Sequence, residues 1–262
     1  MTDVLVTVEE AAPHVRYVTL NRPEKRNAIS TPLRAQLFEI LQAHDHDDDV
    51  RVSIVRGAGV CFSSGYDLGS DLMAEPPYPS APGDGQWARQ ATDGWFSIWD
   101  LAKPVIAQVH GYAMAGATEL ASACDLVYVA DEAKISYPVV RVASPPDWQY
   151  HEPLMGLRHA MEAMLTGDAI DGAEAARIGW ANRSYPAEAL DAEVLAVAER
   201  VAGVASDLSQ ILKRMVHRQF EVQGGRAAMR TGQEFQALAG HQASVEAFRS
   251  DPLAAIKRTV AE

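Results

Sequence analysis

The chain has 262 residues, of which 48% are apolar and 22% charged, a composition that excludes a disordered, collagen-like or low-complexity protein. With 35 acidic and 23 basic residues its net charge is -12, which disfavours binding to nucleic acid or to an anionic membrane surface. Cys61 and Cys124 lie in apolar runs, which favours reduced, buried thiols over a disulfide framework. No apolar run reaches the ~18 residues of a transmembrane helix, so we expect a cytoplasmic protein.

Alternating apolar residues predict two paired strands near the N-terminus, over residues 4–8 and 15–20. A helix should follow, because Ser30 or Thr31 can cap it and Pro32 suits its first turn. Further strands are predicted over residues 51–56, 60–63, 103–109, 125–129 and 134–136. Because helical stretches alternate with these strands, the first half is expected to be α/β.

The remaining segments differ in character. Residues 69–86 are rich in proline, glycine and serine, and predict a long loop. This loop is either a lid over the site or a surface loop without function. After about residue 155 the chain is mostly helical. Apolar residues recur there on helical faces: Leu190, Val194, Val197, Ala198 and Val201, then Leu208, Ile211, Leu212 and Met215. Such faces must pack on the first half or on another subunit.

The segment over 103–125 carries the first chemical signal. It predicts a strand, a turn of small residues and a helix start, so the N–H of Gly116 should face whatever docks at the turn. Glu119 would lie in the first helical turn, and an acid beside an oxyanion-binding turn is a catalytic arrangement. Glutamate is also common in the first turn of helices that have no catalytic function. The residues alone therefore do not decide between a catalytic and an ordinary helical glutamate.

A second segment, over 59–68, also runs a predicted strand into a glycine turn. The N–H of Tyr66 would point outward there, and two such donors can clamp one carbonyl oxygen. Glycine turns end many strands, so this signal is weak alone, and Asp67 is also explained as a capping residue.

Taken together, several segments resemble the crotonase family, the enoyl-CoA hydratase/isomerase superfamily. The similarity spans roughly residues 4–250 and keeps the family order of motifs. The motifs are Asn-Arg-Pro-Glu-Lys-Arg-Asn-Ala at 21–28, Phe-Ser-Ser-Gly-Tyr-Asp-Leu at 62–68, Lys-Pro-Val-Ile-Ala-Gln-Val-His-Gly at 103–111, Gly-Ala-Thr-Glu-Leu at 116–120, Cys-Asp at 124–125, Leu-Thr-Gly-Asp at 165–168 and Ala-Ala-Arg-Ile-Gly at 175–179.

The resemblance implies a fold and a substrate. The fold would be a crotonase-like spiral of ββα units over residues 1–190, followed by a helical trimerisation region over 191–262 in a homotrimer or a dimer of trimers. The substrate would be an acyl-CoA thioester, with no metal and no redox cofactor. The backbone N–H groups of Tyr66 and Gly116 would hold the thioester oxygen and stabilise an enolate. Coenzyme A would bind along two short segments, at Lys25, Arg26, Ala28, Ser64, Gly65 and Leu68.

The carboxylates only partly match. Glu119 aligns with the first of two glutamates that handle water in family hydratases, whereas Val139 occupies the place of the second and cannot exchange a proton. Asp147 lies where dienoyl-CoA isomerase relatives carry a carboxylate, so it is either a substitute acid or base or an ordinary turn residue. His151 is a weaker substitute. We favour hydration of a 2-enoyl-CoA, then double-bond isomerisation with one carboxylate, then an acyl-CoA-binding paralogue without turnover.

Overall fold

A computed structural model describes residues 3–69 and 85–251 of the chain. Most of the segment in which the sequence predicts a long loop lies outside the described residues, so its function as a lid stays a prediction. Within the described part, no helix combines the length and the apolar character needed to cross a membrane.

The strands alternate with helices through most of the first half. They are β1 (Val6–Ala12), β2 (Val15–Leu20), β3 (Val52–Gly57), β4 (Val105–Val109), β5 (Tyr112–Met114), β6 (Leu126–Ala130), β7 (Lys134–Ser136), β8 (Ile170–Asp171) and β9 (Arg183–Tyr185). The helices are α1 (Thr31–His46), α2 (Gln86–Trp99), α3 (Gly116–Ala123), α4 (His151–Thr166), α5 (Gly172–Arg177), α6 (Ala187–Ala202), α7 (Ser206–Val222), α8 (Gly225–Ala239) and α9 (Ala243–Ser250).

These strands form two sheets. The larger has the order β1-β2-β3-β4-β6-β9; β1 and β2 are antiparallel and the other pairs parallel. The smaller sheet has the order β5-β7-β8. Every residue of β4 is buried, as expected for a central strand of a parallel sheet covered on both faces. The α/β class predicted for the first half is therefore observed.

The predicted start of α1 is confirmed. The hydroxyl of Ser30 accepts a hydrogen bond from the N–H of Leu33 at 3.3 Å, and Pro32 lies in the first turn. This cap satisfies one of the N–H groups that lack a partner at a helix start.

The predicted strand over 60–63 is wrong. Only Ser63 pairs in a ladder, through an isolated parallel bridge to Ala113. The physical reason is that the side-chain amide of Asn27 donates to the carbonyls of Cys61 and Phe62, at 2.9 and 3.1 Å. The N–H groups of Phe62 and Ser63 still donate to the backbone of residues 110–112, but the carbonyls of Cys61 and Phe62 bond to a buried side chain and not to a second strand. The first strand is also displaced, since β1 begins two residues later than predicted and extends to Ala12.

The C-terminal helices bury their apolar faces unequally. In α6, the stripe that includes Leu190, Val194 and Val197 is buried, and the helix packs on the large sheet. In α7 the predicted stripe faces outward in the isolated chain, with Ile211 64% exposed and Met215 58% exposed. The division of the chain at residue 190 stays a prediction.

Candidate active site

The side chain of Asn27 stabilises the turn before Tyr66 through hydrogen bonds to its backbone. The buried side-chain amide of Asn27 donates to three carbonyls, those of Ala58, Cys61 and Phe62, and its Oδ1 accepts from the N–H of Arg22 at 3.0 Å. The hydroxyl of Ser63 donates to the Asn27 carbonyl at 2.8 Å and accepts from the N–H of Gly65 at 3.1 Å. This network fixes the backbone as it approaches Tyr66 and leaves few ways for the turn to move.

The second turn joins β5 to α3 through Ala115. This residue has φ 49° and ψ -123°, a conformation that costs an alanine roughly 1–3 kcal/mol. The N–H of Ala115 donates to the Ser136 carbonyl at 2.9 Å, and its own carbonyl accepts from the N–H of Thr118 at 2.9 Å. These bonds hold the strained peptide, so Gly116 becomes the first residue of α3, where an N–H has no acceptor within the helix.

The two turns lie against each other. A Cβ atom added to Gly65 would lie 3.3 Å from the Gly116 nitrogen and 2.5 Å from the Met114 oxygen. A Cβ added to Gly116 would lie 2.6 Å from the ring of Tyr66. Among the described residues, neither the Tyr66 N–H nor the Gly116 N–H donates to another group. Both amides of the predicted oxyanion site are thus close together and unused by neighbouring carbonyls.

Glu119 is completely buried, and its carboxylate accepts from four donors. Oε2 accepts from the Tyr66 hydroxyl at 2.7 Å and from the Trp95 indole N–H at 3.0 Å. Oε1 accepts from the backbone N–H groups of Asp147 and Trp148, at 3.0 and 3.4 Å. Burial raises the pKa of Glu119, and these hydrogen bonds oppose that rise. Because a carboxylate has about four acceptor positions, Glu119 has none left for a water molecule.

Asp147 lies beside this group and is bound less completely. Its Oδ2 accepts from the indole N–H of Trp87 at 3.1 Å, while Oδ1 is buried and has no hydrogen-bond partner among the described residues. Burial, and secondly the negative charge of Glu119, raise the pKa of Asp147 well above its ordinary value. Since two adjacent buried carboxylates are costly to ionise together, the pair releases its second proton only at a higher pH than an isolated carboxyl group would.

A cavity of about 440 Å³ opens beside the two turns. Asp147 and Tyr66 line it, whereas Glu119 does not. Most of the other lining side chains are apolar, and they include Leu68, Met114, Pro138, Val139, Val142 and Phe248. The cavity is therefore a largely apolar pocket that presents the carboxyl group of Asp147.

Two tryptophans of α2 belong both to a core helix and to the site. The spacing of Trp87, Trp95 and Trp99 is typical of a core helix, which α2 is, and Trp95 is fully buried. Trp87 and Trp95 also donate to the two carboxylates, a function that spacing alone does not predict. The available signal was chemical, because a buried indole N–H needs an acceptor.

Arg34 is a further site residue that the sequence interpretation missed. It is fully buried in α1, and its guanidinium carbon lies 5.2–5.8 Å from four aromatic rings, those of Phe38, Tyr66, Trp87 and Trp95. Its Nη2 donates to the Gln90 carbonyl at 3.3 Å, while Nε and Nη1 have no partner within the described part of the chain. The cation stabilises the ionised form of Asp147. It therefore supplies positive charge behind the aromatic groups that bind the carboxylates.

The predicted coenzyme A residues form two adjoining segments. The N–H of Ser64 donates to the Arg26 carbonyl at 3.0 Å, which joins the segment of Lys25, Arg26 and Ala28 to that of Ser64 and Gly65. The side chains of Lys25 and Arg26 are exposed, and Ala28 and Gly65 are buried. Ser64 and Leu68 line the cavity. The segments are therefore close enough to form one surface, and their binding of coenzyme A stays a prediction.

His151 does not join the carboxylate pair. It lines a second cavity of about 250 Å³, where its ring stacks on Tyr150 with centroids 4.0 Å apart. Its Nδ1 lies 2.9 Å from the Gln149 side-chain oxygen, and burial lowers its pKa to about 3. Of the two substitutes considered for the missing glutamate, only Asp147 lies beside Glu119.

Comparison with known proteins gives the family. The family model described as Enoyl-CoA hydratase/isomerase matches residues 10–250. A probable enoyl-CoA hydratase of Mycobacterium bovis is 31% identical over 219 residues, which are 81% of this chain and 81% of that protein. The solved structure of an enoyl-CoA hydratase/isomerase from Xanthobacter autotrophicus Py2 has a TM-score of 0.87 at 31% identity, covering 98% of this chain and 97% of that one.

A monofunctional enoyl-CoA isomerase from M. smegmatis is also similar, with a TM-score of 0.67 at 28% identity, covering 84% of this chain and 95% of that one. The crotonase-like α/β fold expected from the sequence motifs is confirmed by these structures. The chain therefore belongs to the enoyl-CoA hydratase/isomerase family and is an enzyme of that family.

Proposed function

We propose that the enzyme isomerises the double bond of an enoyl-CoA thioester, converting a 3-enoyl-CoA into the conjugated 2-enoyl-CoA. The observation that carries the proposal is Asp147, whose side chain lines the cavity and whose Oδ1, although buried, has no partner among the described residues. Glu119 does not line that cavity. One carboxyl group is enough for isomerisation, because the same oxygen accepts a proton from one carbon and returns it to another.

The proposed reaction begins at the two backbone amides. The N–H groups of Tyr66 and Gly116 bind the thioester oxygen, and ionised Asp147 removes a proton from C2. The C–H electrons move into the thioester to give a dienolate, whose negative oxygen remains bound to the amides. Asp147 then returns the proton to C4 as the double bond shifts to C2–C3. Only a proton moves, so the reaction requires neither a metal nor a redox cofactor.

Glu119 acts in this proposal by holding the site together. Its carboxylate binds the Tyr66 side chain and the Asp147 backbone N–H at once, so it links one oxyanion residue to the proton-transfer residue. Its negative charge also raises the pKa of Asp147, which strengthens Asp147 as a base. The proton transfer assigned to Glu119 from the motif alone thus becomes a positioning function.

Hydration is the second candidate, because the relative from M. bovis is named a probable enoyl-CoA hydratase. Addition of water needs one group to bind and deprotonate the water and another to protonate C2. Asp147 can provide one of these functions. Glu119 would have to release one of its four donors to provide the other, and Val139 in the cavity wall provides neither.

Two substrates distinguish these reactions. Purified enzyme is incubated separately with 3-hexenoyl-CoA and crotonyl-CoA while the absorbance of the conjugated thioester is followed. Isomerisation increases the absorbance with 3-hexenoyl-CoA, whereas hydration decreases it with crotonyl-CoA. Loss of the crotonyl-CoA signal without conversion of 3-hexenoyl-CoA would contradict the proposal, as would binding of both thioesters without any conversion.

The variant Asp147→Asn tests the residue assignment. It retains the size of the side chain and the acceptor for Trp87, and we expect kcat to fall about 10²–10⁴-fold with little change in the Kd of a saturated acyl-CoA. Asp93→Asn is the matched control, because Asp93 is a partly exposed carboxylate that pairs with Arg230. This variant should retain activity. Unchanged kcat in Asp147→Asn would exclude Asp147 as the base.

The oligomeric proposal rests on α7. Its outward apolar stripe, with Ile211 and Met215 more than half exposed in the single chain, supports contact between subunits of a trimer or a dimer of trimers. Sedimentation equilibrium measures this directly. A monomer at micromolar concentration would contradict the proposed assembly.

A further inference from the structure

Tyr137 presents a polar group to the cavity that the proposed reaction does not use. The residue is 5% exposed and lines both the 440 Å³ cavity and the neighbouring 250 Å³ cavity. Its hydroxyl has no hydrogen-bond partner among the described residues, and it is not one of the fully enclosed polar atoms. The oxygen therefore borders open space within a cavity.

Two other tyrosines near the site, half-buried Tyr66 and buried Tyr150, differ from Tyr137 in this respect. The Tyr66 hydroxyl donates to Glu119 at 2.7 Å, and the Tyr150 hydroxyl donates to the Thr118 hydroxyl at 2.6 Å. Buried hydroxyls normally have such partners, because leaving one unpaired costs about 1–3 kcal/mol. The Tyr137 hydroxyl is the exception among the three, on a side chain that lines both the cavity beside Asp147 and the neighbouring cavity.

The groups around the Tyr137 hydroxyl restrict which ligand group can be its hydrogen-bond partner. Burial, followed by the negative charges of Glu119 and Asp147, raises the pKa of Tyr137 well above its ordinary value, so the phenol remains neutral and able to donate. A second anionic group close to the carboxylate pair would be repelled. A neutral oxygen acceptor fits the position best. A plain alkyl chain packed against the hydroxyl would leave it without a partner.

We infer that the Tyr137 hydroxyl binds a neutral oxygen on the acyl group, so the enzyme is built for acyl-CoA thioesters that carry a hydroxyl or carbonyl group beyond the reacting carbons. This inference rests on the proposed function for the orientation of the thioester. Tyr137 is a specificity-determining residue in this arrangement. The apolar lining of the cavity binds the chain, and the hydroxyl distinguishes an oxygenated chain from a hydrocarbon chain.

Binding of saturated thioesters tests the inference without requiring turnover. Calorimetry gives the Kd of pentanoyl-CoA and hexanoyl-CoA and of their terminal hydroxyl derivatives, for the native enzyme, Tyr137→Phe and Tyr150→Phe. In the native enzyme we expect one of the hydroxylated thioesters to bind about tenfold more tightly than its parent. Tyr137→Phe should abolish this preference and bind the parent thioesters at least as well. Tyr150→Phe, which removes a hydroxyl already paired with Thr118, should retain it.

Two results would overturn the inference. The first is a native enzyme that binds the parent and hydroxylated thioesters equally at both chain lengths, as expected if water satisfies Tyr137. The second is a preference that survives in Tyr137→Phe. Because none of these thioesters reacts, failure here is separate from failure of the proposed isomerisation, which the enoyl-CoA assays measure.

Discussion

The two sides of the cavity are built in opposite ways. On one side, which we call the oxyanion wall (residues 62–68 and 111–119), the buried side chains of Ser63 and Glu119 are hydrogen-bonded into a rigid frame, which Asn27 supports from a neighbouring segment. On the other, which we call the acyl wall (residues 137–147), most of the side chains that line the cavity are apolar. Among the polar ones, Asp147 retains an unpaired Oδ1, and the Tyr137 hydroxyl has no hydrogen-bond partner among the described residues. Rigid, fully paired groups suit the part of a reaction common to all thioesters, and unpaired groups suit the part that contacts the variable acyl chain.

The carboxylate that joins the two walls should have a large effect on turnover. Glu119→Gln replaces two acceptor oxygens by one acceptor and one donor, so the amide NH₂ must face either the Tyr66 and Trp95 donors or the backbone N–H groups of Asp147 and Trp148. We expect kcat to fall by about 10²-fold or more while the Kd of a saturated acyl-CoA changes little. Unchanged turnover would show that the two walls do not depend on this link.

Spacing within the oxyanion wall is the next most sensitive feature. Gly65→Ala would place a methyl group 2.5 Å from the Met114 oxygen, at a residue whose φ is +89°, and would force the two amide-bearing turns apart. Loss of one aligned oxyanion donor costs about 10²–10³-fold in kcat. Gly69→Ala is the matched control on the same segment, since its added methyl lies 3.4 Å from the Asp67 carboxylate. Equal kcat for both variants would argue against the proposed oxyanion site.

The oxyanion wall could be anticipated from the sequence better than the acyl wall. The small-residue turn at Gly116 and the glycine turn before Tyr66 require particular backbone conformations, which leave a local signature in the residue types. The burial of Glu119 under four donors involves residues from the turn at Tyr66, from α2 and α3, and from the segment at 147–148, and no short motif encodes such a long-range arrangement. Asp147 was a candidate by position alone. Arg34 has no sequence signal, because an arginine in an amphipathic helix is usually exposed.

Electrostatics across the two walls predicts a pH dependence. Asp147 must be ionised to remove a proton, and its pKa in the folded enzyme is raised by burial and then by the charge of Glu119. The ionised fraction therefore grows as pH rises through that pKa, so kcat/KM should increase with pH and fall about tenfold per unit below it. A profile that decreases over the same range would contradict the assignment.

Arg34 provides a way to shift that profile. Within residues 3–69 and 85–251, the charged and titratable groups that act on Asp147 are Glu119, Tyr66, Tyr137 and Arg34, and of these four Arg34 carries the positive charge. Arg34→Met removes the charge and should move the rising limb of kcat/KM to higher pH, whereas Arg34→Lys should retain most of the native profile. A uniform loss of activity at every pH in Arg34→Met would indicate a packing function instead.

Away from the carboxylates, His151 predicts a change in stability. Burial lowers its pKa to about 3 in the folded state, against 6.5 ordinarily, so below pH 6.5 the unfolded chain gains a proton that the folded chain does not. The native protein should lose about 2 kcal/mol of unfolding free energy through this residue between pH 7 and pH 5. Urea unfolding at both pH values should show a smaller loss for His151→Gln. The exposed His46→Gln serves as control, and an equal loss in all three proteins would contradict the expectation.

The smallest effect should come from the apolar part of the acyl wall. Val139 lines the cavity where family hydratases carry a proton-transferring glutamate, yet its side chain can only pack against the acyl group. Val139→Ala removes two methyl carbons of contact and should raise KM less than about tenfold, with kcat nearly unchanged. Steady-state rates with 3-hexenoyl-CoA measure both constants. A fall in kcat as large as that expected for Glu119→Gln would mean that packing at Val139 positions the reacting carbons, and the acyl wall would then contribute to the chemistry as directly as the oxyanion wall does.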